Sequence, residues 1–368
     1  MLPRRETRLR AESFCGLEAD EESLEALLAL CEEERIEALY DRDEIYRSPV
    51  FAEILTEASR RVLPGRIERS LALARLAQTV LRSSDSSDYG TELYIRASAY
   101  VANGWKLSGS LFGSADIFRD MRFLMRGLSR RPRLTLAILD QLEGELLGRL
   151  RDFPRAELLQ RRAIAGFEEG GEIPLAARTL VSLGVLLDLA GRPERAMEAQ
   201  RQALGLLGND GSLLETCARY NLAVCSCNAG RHGEARDLLE ALKEARRLET
   251  WPQIGPKVLW LEGRIARALG ETESAISLLR RSFADFRRRG NAHFSSWVSL
   301  ELGGLYLEQG RGEELEALIV EIRNIVEGQL VHRDAFVALL LSEDSPGLEE
   351  ISRLLRKELG GYLDQGPG

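Results

Sequence analysis

Small residues return along this chain at nearly constant spacing: Gly104, Gly144, Gly184, Ala223, Gly263 and Gly303 stand 40, 40, 39, 40 and 40 positions apart. Nothing else in the sequence restricts the fold so strongly, because self-similarity at a period of this length means one structural unit stacked on copies of itself. Twelve residues after each comes a second small position, filled by Ala156, Ala196, Ala235 and Ala275, with Leu315 in the last slot and Ala115 one place early. Seven further on stand Ala163 and Ala203, replaced by Leu242, Ser282 and Ile322 in other copies. Between the first two series falls a glycine, Gly191, Gly230, Gly270 or Gly310, where a helix would end on a left-handed residue. Antiparallel helices approach closely only where bulky Cβ substituents are missing. The register therefore predicts one helical hairpin per repeat, the first-helix Gly facing the second-helix Ala.

Composition agrees with an all-helical chain. Apolar residues make up 44% but aromatics only 6%, and 11 prolines in 368 residues leave little room for a large β domain. No apolar run approaches the ~18 residues of a membrane span, and "MLPRRETRLR" lacks the apolar core of a secretion signal, so a cytoplasmic protein is expected. Five cysteines, an odd number, suit small core residues better than a disulfide framework. Charge is uneven: residues 17–44 carry twelve acidic side chains against Arg35 and Arg42, and residues 45–368 are neutral. An acidic chain without a basic domain argues against direct nucleic-acid binding.

Two stretches, "LVSLGVLLDLAGRPERAMEAQRQAL" (180–204) and "VSLELGGLYLEQGRGEELEALI" (298–319), carry the Leu-Gly pair, the aromatic or Leu three residues on, and the turn glycine. In these the chain resembles the tetratricopeptide repeat superfamily over about 97–325, and less closely over 48–82. It departs in its period of 40 rather than 34, in lacking the proline that often ends the second helix, and in keeping the first-helix aromatic only as Tyr306. The longer period looks like that of arrays in bacterial peptide-responsive and transcriptional regulators. HEAT-type repeats share it, but the Gly-to-Ala spacing of twelve favours the tetratricopeptide reading. The resemblance implies an all-α, right-handed superhelix of antiparallel hairpins, a tetratricopeptide-like α-solenoid. It also implies a non-enzymatic scaffold for a protein or peptide, in its sharper form a regulatory sensor array whose pitch changes on binding. The alternatives are a substrate-delivery or accessory subunit of a defence or protein-processing enzyme complex, and a structural homo-oligomer. Three regions are expected: an Arg-rich tip and acidic amphipathic helix over 1–45, an array of about seven hairpins over 46–328, and capping helices over 329–368.

Catalytic signatures are missing from the sequence: no Gly-rich phosphate loop, G-x-S-x-G or H-E-x-x-H occurs. His332 to Asp334 spell a kinase-like triplet, but Leu339 stands where an Asn is required. Cys225 and Cys227 lie about 200° apart on a helix, so with His232 they cannot close on one metal. No cofactor or metal is expected. The candidate site is the groove lined by the first helices. Slots counted from the small residue place Trp105, Glu145, Arg178, Asp188, Tyr220, Asn228, Lys257, Trp260, Arg264, Arg267 and Trp297 there. Lys257, Arg264 and Arg267 fall on neighbouring turns, a strip suited to an acidic partner or to the acidic segment 17–44 itself.

Overall fold

The computed structural model of the chain describes residues 47–63, 66–83, 87–251 and 253–328. The tip and acidic helix expected over 1–45, the capping helices over 329–368 and the triplet His332 to Asp334 lie outside the described residues. Among the described residues there are fourteen α-helices and no strand.

The chain divides into two compact units, Met1–Leu207 and Gly208–Gly368. In the first, four hairpins pair α1 (Pro49–Val62) with α2 (Ile67–Ser83), α3 (Asp88–Leu107) with α4 (Leu111–Gly127), α5 (Arg133–Arg149) with α6 (Phe153–Glu169) and α7 (Ile173–Leu189) with α8 (Pro193–Leu207). In the second, α9 (Leu213–Asn228) pairs with α10 (His232–Glu244), α11 (Gly255–Ala268) with α12 (Thr272–Arg288) and α13 (Ala292–Glu308) with α14 (Gly312–Gly328). First helices also pack on one another, α1 on α3, α3 on α5 and α5 on α7 in unit 1, and α9 on α11 in unit 2. α7 is apolar nearly all round, with Ile173, Val185 and Leu189 left exposed, while α12 keeps one charged face.

Helix starts follow the sequence chemistry. Ser48, Ser87, Asp152, Ser212 and Asn291 each accept a hydrogen bond from the backbone N–H three residues on, satisfying a donor the helix cannot. Helix ends use the left-handed turn: at Gly191 φ is 72°, and the N–H of Arg192 bonds to Leu187 O at 2.9 Å. The α5–α6 turn makes the same bonds with Arg151 at φ 61°. A side chain there costs about 1 kcal/mol, offset in part by the guanidinium lying 5.4 Å from the Phe153 ring centroid. Arg151→Gly is expected to raise stability by about 0.5 kcal/mol in urea titration; a fall would mean the ring contact dominates.

The closest approach inside a hairpin is displaced by one turn from the expected one. A Cβ on Gly184 would lie 2.1 Å from Nε2 and 2.8 Å from Cδ of Gln200, and one on Gly144 would lie 3.1 Å from Gln160 Cγ and 3.2 Å from Ala156 O. On Gly263 it would meet Leu279 Cγ at 2.7 Å. Each glycine thus faces the residue sixteen positions on, while the Ala at twelve is buried at the helix contact beside it. The reason is that side chains lean toward their own helix N-terminus, so the one covering a given spot starts further along the chain. Gln160 and Gln200, both buried, donate from Nε2 to Gln141 O and Val181 O at 3.1 Å, clasping first helix to second.

Candidate functional site

The basic strip is built as expected on α11, but the charges of its two arginines are already answered. Arg264 donates to Asn228 Oδ1 of α9 at 2.7 Å and lies 3.4 Å from Glu301 Oε1 of α13, while Arg267 pairs with Glu308. Lys257 sits with Nζ 4.6 Å from the Phe294 ring centroid, where loss of water pulls its pKa below the ordinary lysine range. Trp260 meets Phe294 edge-on at 6.0 Å, and with Trp297 it packs, half-buried, on the core of α11–α14. Among the described residues, the Trp260 indole Nε1 is buried without a hydrogen-bond partner.

Tyr220, expected at the groove wall, is a core residue: it is 6% exposed, donates to Lys257 O at 3.0 Å and packs on Trp251. Nearby, burial pushes the Cys217 thiol up to about 11, which keeps it protonated at neutral pH. Cys225 and Cys227 are buried in α9, and Cys227 Sγ lies 3.9 Å from His232 Nδ1.

In unit 1, Trp105 lies over Gly113 and under the Arg75 guanidinium, filling space between helices. Glu145 holds the buried ammonium of Lys106 at 2.5 Å, and Asp188 is half-buried near the end of α7. Arg178 is exposed on α7 and acts electrostatically on Tyr100 of α3.

Tyr100 borders a cavity the register did not single out. It measures about 530 Å³ and is lined by α1, α3, α5 and the start of α7. Its apolar floor is Ile54, Leu134, Ile138, Pro174 and Leu175, and its rim carries Glu53, Glu57, Arg60, Arg61, Arg96 and Glu172. Most rim charges are fixed in place: Arg96 reaches Glu53 at 3.2 Å and Glu92 at 3.0 Å, and Glu57 holds Arg60 and, at 3.0 Å, Arg61. The two arginines hold the Glu57 carboxyl below its usual range, although burial pushes it the other way. An apolar floor under a preorganised polar rim is the usual make-up of a small-ligand or peptide site.

No protein-family model matches the chain, and no curated protein matches it. Among solved structures it is similar to a Rap protein complexed with competence and sporulation factor, at TM-score 0.61 and 15% identity, over 84% of this chain and 87% of that one. It is also similar to the apo form of RapI, at TM-score 0.57 and 13% identity, over 76% of this chain and 99% of that one. No described helix is long and apolar enough to cross a membrane. At such identities the likeness is one of fold, and it agrees with the hairpins and their turns: among the described residues, each unit is an all-α row of tetratricopeptide-like hairpins.

Proposed function

We propose that this protein is a non-enzymatic scaffold that binds a peptide segment, free or part of a partner protein, on the first-helix face of unit 1. One observation carries the reading: the cavity of about 530 Å³ has walls supplied by four successive hairpins and joins an apolar floor to a charged rim. The similar Rap structure, complexed with competence and sporulation factor, supports it. Because α1, α3, α5 and α7 all contribute, an occupant that bridges them favours one mutual arrangement of the hairpins over others. That gives the scaffold a regulatory output, acting in the cytoplasm on another chain.

The test is affinity selection of peptides by the purified full-length protein, read by mass spectrometry beside Ile138→Trp, which fills the cavity floor. The wild type should retain a reproducible peptide set that the variant, still helical by circular dichroism, retains at least tenfold less. Equal retention by both would move the site off this face, and no retention by a folded wild type would end the proposal.

A further inference from the structure

We propose that two copies of this chain associate through the outer face of α4, the two helices antiparallel about a twofold axis, so that Phe112 meets the partner's Phe123 and Asp116 the partner's Arg119. The proposal is independent of the peptide-binding reading, because no residue of α4 lines the unit-1 cavity.

α4 buries one face and leaves the other bare. Ser114, Phe118, Met121 and Met125 are buried in unit 1, whereas Phe112 is 82% and Phe123 74% exposed, more than any other large apolar side chain among the described residues. Singly exposed apolar residues need no explanation, but two rings three turns apart on one face make a patch. Between them on that face stand Asp116 and Arg119, whose side chains are 61% and 72% exposed. The four residues are 4, 3 and 4 positions apart, the spacing that one helix presents to another across a seam.

The order along this stripe, ring, acid, base, ring, chooses the occupant. Turned end over end it reads ring, base, acid, ring, so each ring lands on a ring and each acid on a base. A twofold contact requires such self-complementarity, since the same patch serves both copies. Parallel helices would instead set Asp116 beside the partner's Asp116 and Arg119 beside the partner's Arg119, which like charges oppose. In the single chain Arg119 pairs with Asp116 of its own helix at 2.9 Å. An exposed pair of that kind is worth little, so exchanging it for one across the axis costs little. Phe123 also lines a cleft of about 540 Å³ whose apolar wall is Phe118, Leu146, Leu147 and Leu150. Opposite Phe123, the partner's Phe112 arrives at the mouth of that cleft, where an aromatic anchor can seat. Four layers of one helix are a small contact, which makes the dimer concentration-dependent rather than permanent.

Sedimentation velocity of the full-length protein over roughly a hundredfold range of concentration tests the pairing, with helicity recorded for each variant by circular dichroism. The wild type should pass from monomer to dimer, and Phe123→Glu should weaken association at least tenfold. Asp116→Arg sets Arg against Arg, and Arg119→Asp sets Asp against Asp, so each alone should associate at least tenfold less than wild type. Mixed in equal amounts, these two single variants should form a heterodimer, and the double variant Asp116→Arg, Arg119→Asp should recover wild-type association. A wild type that stays monomeric throughout the range, a dimer that survives Phe123→Glu, or a mixture no more associated than its separate parts overturns the proposal.

Discussion

Glu145→Ala is expected to destabilise unit 1 by about 3 kcal/mol. Lys106 is 2% exposed and its Nζ lies 2.5 Å from Glu145 Oε2, so removing the carboxylate strands a buried ammonium. Attraction between the two charges need not exceed the cost of taking both from water, so the pair is better judged by replacing both partners. The double variant Lys106→Met, Glu145→Leu should return to within about 1 kcal/mol of wild type. Urea titrations of the three proteins decide it. A single-variant loss under about 1 kcal/mol would mean that the ammonium reaches water without its partner.

Gly184→Ala should cost about 2 kcal/mol even though alanine is the better helix former by about 1 kcal/mol. The new Cβ would overlap the Gln200 amide, and moving that amide breaks its bond to Val181 O inside the core. The same exchange at Gly205 in α8, where nothing lies within 4 Å of the added carbon, should instead stabilise by up to about 1 kcal/mol. Adding Gln200→Ala to Gly184→Ala removes the overlap, so the double variant should lose less than the two single losses together. Additive losses would show that glycine is needed there for another reason.

How much of this was legible in the sequence depends on distance along the chain. The glycine turns at Gly191, Gly230, Gly270 and Gly310, all at positive φ, and the small-residue period announced the hairpins, because both are local to one repeat. The glutamine clasp was missed, since the Ala series lies at the same contact but the covering side chain starts one turn later. The basic strip was misjudged for a longer-range reason. Arg264 and Arg267 are answered by Glu301 and Glu308, which are 37 and 41 residues further on, so counting charge along one helix omitted the next one. Tyr220 followed the slot rule into the core, where its hydroxyl found a carbonyl. The unit-1 cavity escaped because its floor residues Leu134, Pro174 and Leu175 lie nine or ten positions before the small residue, beyond the slots considered.

The glutamine clasps also decide where unit 1 has its give. Gln160 and Gln200 fasten the two helices of a single hairpin by dry amide bonds, out of reach of dissolved ions. Neighbouring hairpins are joined in part at the surface, by Glu157 with Arg192 at 2.9 Å and Arg195 at 2.6 Å, Arg236 with Glu271 at 2.9 Å, and Arg311 with Glu273 at 3.2 Å. Such contacts weaken once the Debye length shrinks below about 10 Å, near 0.1 M salt. Mechanically, unit 1 is a row of stiff plates on ionic springs, with compliance concentrated in the seams and adjustable by electrolyte while the plates keep their shape.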